Sequence, residues 1–266
     1  MRVALVQNQP VFGKKTANIR QLKALIAPVS ADLFVLPELA YTGYQFRSFN
    51  ELRALADGPD SVYIEEMHAL ARAKQAGIVF GFAEQDGSRI YNAALLITPA
   101  GESCLYRKTH LFYREKQLFT PGDTGFHVFP FQGVRLGMAI CFDWVFPESF
   151  RTLALQGADL VVLPANLVMP YCQQVLYARA VENHIFIACA NRVGEESRTG
   201  ESLRFTGGSV ALSPSGDYLA RGPETGEQVL VVDMDLPQAR DKHINPLNDL
   251  FAERRPELYW PTDGSG

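Results

Sequence analysis

The 266-residue chain is poor in cysteine: Cys104, Cys141, Cys172 and Cys189 form no Cys-x-x-Cys pair and no dense framework. A chain of this length can bury a core without disulfide staples, so free thiols in a reducing compartment are expected. Histidine is also scarce. Five residues are scattered without the His-x-x-x-His spacing that sets two imidazoles on one helical face, and no metal is expected. Basic residues hold no majority. The 25 Lys and Arg stand against 29 Asp and Glu, for a net charge of −4, and are spread along the chain. That excludes the concentrated positive patch that phosphate backbones demand, and nucleic acid with it. No run approaches the ~18 apolar residues of a membrane span. The N-terminal Met1-Arg2-Val3-Ala4-Leu5-Val6-Gln7 turns polar too early for the core of a signal peptide. A cytoplasmic location without membrane contact is the expectation.

What is present is 47% hydrophobic residues, arranged as short apolar runs that alternate with amphipathic segments, the pattern of an α/β fold. Residues 2–8 read as a strand and 18–27 as a helix with Ile19, Leu22, Leu25 and Ile26 on one face. Residues 33–37 read as a strand and 61–76 as a helix with Ile64, Met67, Leu70 and Ala71 inward, ended by Gly77. Turns at Asp86-Gly87 and Pro99-Ala100-Gly101 join strands 78–84 and 90–98 and a strand running into Lys108 as hairpins, so the sheets are mixed. Further on, Pro147 opens a helix that Gly157 follows, residues 172–183 are helical, and 185–190 form a strand. The stretch Ala-Asp-Leu-Phe-Val-Leu-Pro at 31–37 returns as Ala-Asp-Leu-Val-Val-Leu-Pro at 158–164, which suggests two similar β/α halves packed sheet to sheet. No linker divides the chain. One domain over 1–266 is expected, with 237–266 as a polar C-terminal extension.

Three apolar runs end in reactive side chains. Cys141 follows the apolar run 134–140 and precedes the proline-broken Phe142-Asp143-Trp144-Val145-Phe146-Pro147-Glu148, a strand-to-helix turn that would hold its sulfur at the mouth of a sheet. Leu33-Phe34-Val35-Leu36-Pro37 ends in Glu38, and the strand reaching Tyr106-Arg107 ends in Lys108. A free thiol is mostly protonated at neutral pH and needs a base before it can attack carbon. Glu38 offers that base, and a fixed ammonium at Lys108 can stabilise the charge that attack builds on oxygen or nitrogen. The backbone N–H of Phe142 is a second donor to that charge. Each segment also has a plain structural reading: a buried small thiol, a loop start, a solvated Arg-Lys pair. Their joint occurrence in matching contexts favours chemistry.

The segments Leu-Pro-Glu-Leu at 36–39, Tyr-Arg-Lys-Thr-His-Leu-Phe at 106–112 and Cys-Phe-Asp-Trp-Val-Phe-Pro-Glu at 141–148 resemble the three signatures of the nitrilase superfamily of carbon–nitrogen hydrolases, in that family's order and spacing. The resemblance extends to Thr42-Gly43-Tyr44, Phe119-Thr120-Pro121-Gly122-Asp123, Gly157-Ala158-Asp159 and Arg179-Ala180-Val181-Glu182-Asn183, and so covers nearly the whole chain. It implies a four-layer α-β-β-α sandwich and homodimers or larger assemblies in which the C-terminal extension reaches a neighbour. By matching position it implies Glu38 as general base, Lys108 as the oxyanion-stabilising cation, Cys141 as nucleophile, and Glu115 as a second glutamate that orients substrate or Lys108. The implied reaction is ping-pong, through a thioester, and no cofactor is needed.

For the substrate, the family branch that cleaves ω-amides of keto acids carries arginine four residues after the nucleophile, where this chain has Val145. An arginine elsewhere, Arg179 or Arg192, could compensate. The motifs look most like an archaeal-type branch named for small aliphatic nitriles, while Cys141-Phe142-Asp143 is the form common among amidases and carbamoyl hydrolases. The expected substrate is a small, neutral aliphatic amide or nitrile, with an N-carbamoyl compound or an ω-amide as alternatives. Tyr44, Phe142, Trp144 and Asn166 are candidate pocket residues; Trp144 could equally pack in the core. An inactive scaffold of the same fold is the non-enzymatic alternative, although Glu38, Lys108 and Cys141 are all present.

Overall fold

The computed structural model describes residues 1–259. The strands are β1 (Arg2–Gln7), β2 (Leu33–Val35), β3 (Gly77–Asp86), β4 (Arg89–Ile97), β5 (Ser103–Arg107), β6 (Val128–Phe131), β7 (Val134–Met138), β8 (Leu160–Ala165), β9 (Phe186–Asn191), β10 (Val193–Glu196), β11 (Leu203–Thr206), β12 (Val210–Leu212), β13 (Tyr218–Arg221), β14 (Gln228–Asp233), β15 (His243–Asn245) and β16 (Asn248–Asp249). The helices are α1 (Lys15–Ile26), α2 (Phe49–Leu55), α3 (Val62–Lys74), α4 (Pro147–Leu155) and α5 (Cys172–Asn183).

One six-stranded sheet runs β14-β1-β2-β3-β4-β5 and the other β6-β7-β8-β9-β12-β13. Both show the same sequence of pairings from these ends: antiparallel, parallel, parallel, antiparallel, antiparallel. The repeated heptapeptide places β2 and β8 at the centre of the two parallel trios. The fold is a four-layer α-β-β-α sandwich with mixed sheets, built on the two-residue period of its strands. In β1, Val3 and Leu5 enter the core between the sheets, while Ala4 and Val6 face Ile19, Leu22 and Ile26 of α1. Leu33 and Val35 face inward in the same way, and Phe34 and Leu36 face the helices. Ile64, Met67, Leu70 and Ala71 of α3 are buried against that outer face. On the other side, Phe150, Leu153, Leu176 and Ala180 carry α4 and α5 onto the second sheet.

Several elements were not anticipated. Helix α2 carries a start signal in the sequence: the Ser48 side chain accepts from the Glu51 N–H and the Glu51 carboxylate accepts from the Arg47 N–H, a capping pattern of the Ser-x-x-Glu type. Strands β6 and β10 to β14 are short or polar on one side, and β14 completes the first sheet only by returning 221 residues later to pair with Gln7. The run 134–140 is a strand only to Met138. Of the expected C-terminal extension, residues 237–259 carry a turn and the β15–β16 hairpin, while 260–266 lie outside the described residues. Lys242 donates to the Asn183 and His184 carbonyls at the end of α5. No helix among the described residues is long and apolar enough to cross a membrane.

Candidate active site

Three strand ends converge. Past β2, the Leu36 N–H still donates to Val79 and the Pro37 carbonyl accepts from Gly81, which fixes Glu38 over the middle of β3. Gly81 makes this approach possible, because a Cβ there would stand 2.4 Å from Glu38 Cα. Past β5, the Lys108 N–H donates to the Asn92 carbonyl and its carbonyl accepts from Gly122. A Cβ on Gly122 would lie 2.1 Å from the Arg107 oxygen, which gives the Thr-Pro-Gly-Asp segment a physical reason. Past β7, Cys141 opens a tight 3-10 turn through Val145. Cys141 has φ +42°, and Leu39 beside Glu38 and Tyr113 near Glu115 both have φ +48°. These are left-handed conformations that a residue with a Cβ adopts only where its surroundings compel it.

The side chains form one buried network. Lys108 Nζ donates to Glu38 Oε1 at 2.7 Å and to Glu115 Oε1 and Oε2 at 2.9 and 2.8 Å, with the lysine and Glu38 side chains wholly buried. Asn92 Nδ2 donates to Glu38 Oε1 at 2.6 Å, and Glu38 Oε2 is buried without a partner. Glu115 also accepts from the Tyr44 hydroxyl at 2.5 Å and from the Phe112 N–H at 3.1 Å. Cys141 is 6% exposed.

Burial would lower the Lys108 pKa, but the carboxylates of Glu115 and Glu38 outweigh it and hold the ammonium above its ordinary range. Burial raises Glu115, against the pull of Lys108. Burial, reinforced by Glu38, pushes the Cys141 thiol well up, opposed by Lys108 and by a backbone hydrogen bond from Asn166. Burial and Glu115 also keep the Tyr44 phenol protonated. The site therefore holds a buried ammonium, a thiol whose ionisation burial disfavours and a Glu38 oxygen without a hydrogen-bond partner.

Cys141 opens on a small pocket walled by Phe112, Phe142, Trp144, Leu167 and Met169, with Asn166 as its polar side chain. Both side-chain polar atoms of Asn166 are buried and unpartnered. Trp144, 4% exposed, joins the core and lines this pocket at once. Tyr44 lies in an adjoining pocket with Phe46, Arg114 and Glu115, which shares the Phe112 wall. Phe142 follows Cys141 in the turn, ahead of the first closing bond from the Asp143 N–H to the Ile140 carbonyl, so its N–H has no partner within the turn.

Neither candidate arginine is free to read an anionic substrate. Arg179 donates to the Trp144 and Val145 carbonyls and to Glu182, and Arg192 is buried on Glu196 at 2.6 Å. Glu196, which sequence reasoning missed, also accepts from the Tyr44 and Gln45 N–H groups and so anchors the Tyr44 loop. Asn92 was missed as well, because it sits inside an apolar strand run with nothing local to mark it.

A four-layer sandwich in which a buried thiol, two carboxylates and an ammonium are gathered at the strand ends agrees with the nitrilase superfamily of carbon–nitrogen hydrolases. The chain belongs to the carbon–nitrogen hydrolase family, whose family description matches residues 2–243. It is similar to a nitrilase of Pyrococcus abyssi, 44% identical over 98% of this chain and 99% of the relative. It is also similar to an (R)-stereoselective amidase of Pseudomonas sp., 33% identical over 94% of this chain and 91% of that one. Among solved structures, a mutant amidase from Nesterenkonia sp. AN1, showing covalent addition of the acetamide moiety of fluoroacetamide at the active site cysteine, superposes with a TM-score of 0.80 at 28% identity, covering 97% of this chain and 95% of that one. The protein is a hydrolase acting on carbon–nitrogen bonds other than peptide bonds.

Proposed function

We propose that the protein hydrolyses a small, neutral aliphatic amide or nitrile through a thioester on Cys141, releasing ammonia and a carboxylic acid. The observation that carries the reading is a buried Cys141 thiol in the field of a buried Glu38 carboxylate whose Oε2 is unpartnered while its Oε1 is tied to Lys108 and Asn92. For an amide, the Cys141 thiol proton passes to Glu38 Oε2 as sulfur bonds to the carbonyl carbon. Lys108 and the Phe142 N–H face the oxyanion. The carbon–nitrogen bond then breaks, the nitrogen takes the proton from Glu38, and ammonia leaves. Water gives a proton to Glu38 as it attacks the thioester, the carbon–sulfur bond breaks, and the thiol is restored. Glu115 holds Lys108 from the far side and directs its ammonium.

The acyl group left on sulfur occupies the space into which sulfur opens, and Phe112, Phe142, Trp144 and Met169 make that space apolar. Tyr44 and Asn166 supply the polar contacts. A neutral acyl group fits the engagement of Arg179 and Arg192 elsewhere and the Val145 side chain at the position where the ω-amide branch has arginine. The test is ammonia release across small amides, N-carbamoyl compounds, ω-amides and nitriles, with mass spectrometry of the trapped adduct. Acylation at Cys141 and the highest kcat/KM for neutral small amides or nitriles are expected; an adduct on another cysteine, or preference for dicarboxylic ω-amides, overturns the assignment. Introducing Val145→Arg should shift preference toward acidic substrates, by up to ~1 to 3 kcal/mol, the scale of one charge-assisted hydrogen bond.

A further inference from the structure

One buried carboxylate beside the site has no part in these proton transfers. Asp143 is wholly buried and stands two residues after Cys141. Its Oδ2 accepts from the Tyr106 hydroxyl at 2.7 Å and from the Ile140 N–H at 2.9 Å. Its Oδ1 accepts from the His110 N–H at 3.1 Å and lies 2.7 Å from His110 Nδ1. Four contacts occupy the lone pairs, so Asp143 is not an acceptor for the thiol proton.

The donors are placed with a pattern. Tyr106 is two residues before Lys108 and His110 two after it, while Ile140 immediately precedes Cys141. One carboxylate thus brackets Lys108 on both sides and ties it to the turn that carries the sulfur. That turn needs holding, because Cys141 is in the left-handed region at φ +42°. The Asp143 N–H closes the turn onto the Ile140 carbonyl at 3.0 Å while its side chain accepts from the Ile140 N–H, so the backbone of residue 140 is held through both of its polar groups, one in each of the peptide units that flank its Cα. His110 adds a stacked contact with Phe146 at 3.7 Å and 12°, at the far end of the same turn.

We propose that Asp143 is a positioning residue that yokes the Lys108 segment to the Cys141 turn and thereby sets the placement of the ammonium relative to the sulfur. The inference rests on the reading of Cys141 as nucleophile and Lys108 as its charge partner. A carboxamide at 143 keeps the shape but presents an N–H₂ group to donors that need an acceptor, so the yoke should slacken without emptying the core.

The experiment compares Asp143→Asn with Tyr106→Phe, with Cys141→Ala, and with Asp159→Asn. Asp159 is a buried carboxylate remote from the site, accepting from Arg135 and Arg240. Two readouts are used: kcat and KM on propionamide, and the pH profile of Cys141 alkylation by iodoacetamide. In Asp143→Asn, kcat should fall by about 10- to 100-fold with KM nearly unchanged, as for loss of an interaction that matters in the transition state. The alkylation midpoint should move up by about one pH unit, because the ammonium no longer favours the thiolate as strongly. Tyr106→Phe should move both readouts in the same direction by less. Asp159→Asn should lower the melting temperature and move neither readout. Should Asp143→Asn fail to fold, Tyr106→Phe decides by the same two readouts. Normal kcat and an unshifted profile beside an inactive Cys141→Ala sink the yoke alone; full turnover in Cys141→Ala sinks the nucleophile reading and the yoke with it.

Discussion

Arg107 and Lys108 are consecutive, each faces more than one carboxylate, and they do different work. Arg107 forks onto both Glu84 oxygens at 2.7 Å, reaches Asp86 at 2.9 Å and Asp123 at 3.0 Å, and lies 3.9 Å over the Tyr91 ring. Its partners Asp86 and Asp123 are 60% and 51% exposed. Lys108 and Glu38 are 0% exposed and Glu115 4%. The pleat of the strand sends neighbours to opposite faces, and everything else follows from which face is wet. At the rim, water can take over the carboxylates if the arginine is lost, so the cluster is worth little beyond its bidentate pair. In the interior no water substitutes, and one ammonium must satisfy two carboxylates or leave them uncompensated. Burial turns the same arithmetic of charge from scaffolding into a poised site.

The largest expected effect breaks the buried side of this contrast. Lys108→Met should lower turnover by a factor on the order of a thousand and cost ~3–5 kcal/mol of stability, since Glu38 and Glu115 are left facing each other. Adding Glu115→Gln should restore part of that stability in urea titrations and none of the activity. Lys108→Arg should also be inactive, because a planar fork does not put charge where a compact ammonium does. If Lys108→Met unfolds no more easily than wild type, the network is not the buried one described.

Next in size, Glu38→Gln keeps the side-chain shape and the Asn92 contact can be retained by its amide oxygen, but the carboxylate proposed to accept the thiol proton is gone. Turnover should fall by roughly 10²- to 10⁴-fold, the usual weight of a general base, with the melting temperature little changed. Stopped-time ammonia assays and calorimetry on the same preparation check both halves. Arg107→Gln tests the rim: activity within about twofold of wild type and a loss of roughly 1–2 kcal/mol, mostly from the bidentate Glu84 pair. A dead Arg107→Gln would mean that the two faces of the strand are not independent.

The smallest effect concerns Lys242, whose pKa burial pushes down to about 8 from the ordinary lysine value of 10.5. Between those two pH values the unfolded chain holds a proton that the folded one has released, so stability gained from this residue rises with pH across the window and is lost as pH falls through about 8. The melting-temperature difference between wild type and Lys242→Met should therefore move in favour of wild type as pH is raised from neutrality to above 10. A difference independent of pH would show that Lys242 is not perturbed in the fold.

Much of the fold was legible because burial imposes periodicity. The α3 face of Ile64, Met67, Leu70 and Ala71 was readable from its spacing, as was α5, and the repeated Ala-Asp-Leu heptapeptide marked the two parallel trios. The strands that finish each sheet, β12 to β14, were not, because they are short or half-exposed and pair with segments far along the chain. The same division runs through the site. Cys141, Glu38 and Lys108 each sit at the end of an apolar run, a local signal; Asn92 and Glu196 carry no such mark.

By itself, then, the linear sequence determined which side chains are candidates for the site, the alternation that makes strands and helices, and the turns that set each of those groups at a strand end, since these depend on residues a few positions apart. Only the tertiary structure decided that Glu38 and Glu115 share one ammonium, that Arg179 and Arg192 are consumed by backbone carbonyls and Glu196, and that Asp143 ties two motifs together. Those outcomes depend on pairings across 70 residues or more in the Glu38–Lys108 case, and on desolvation, which no local pattern of residue types encodes.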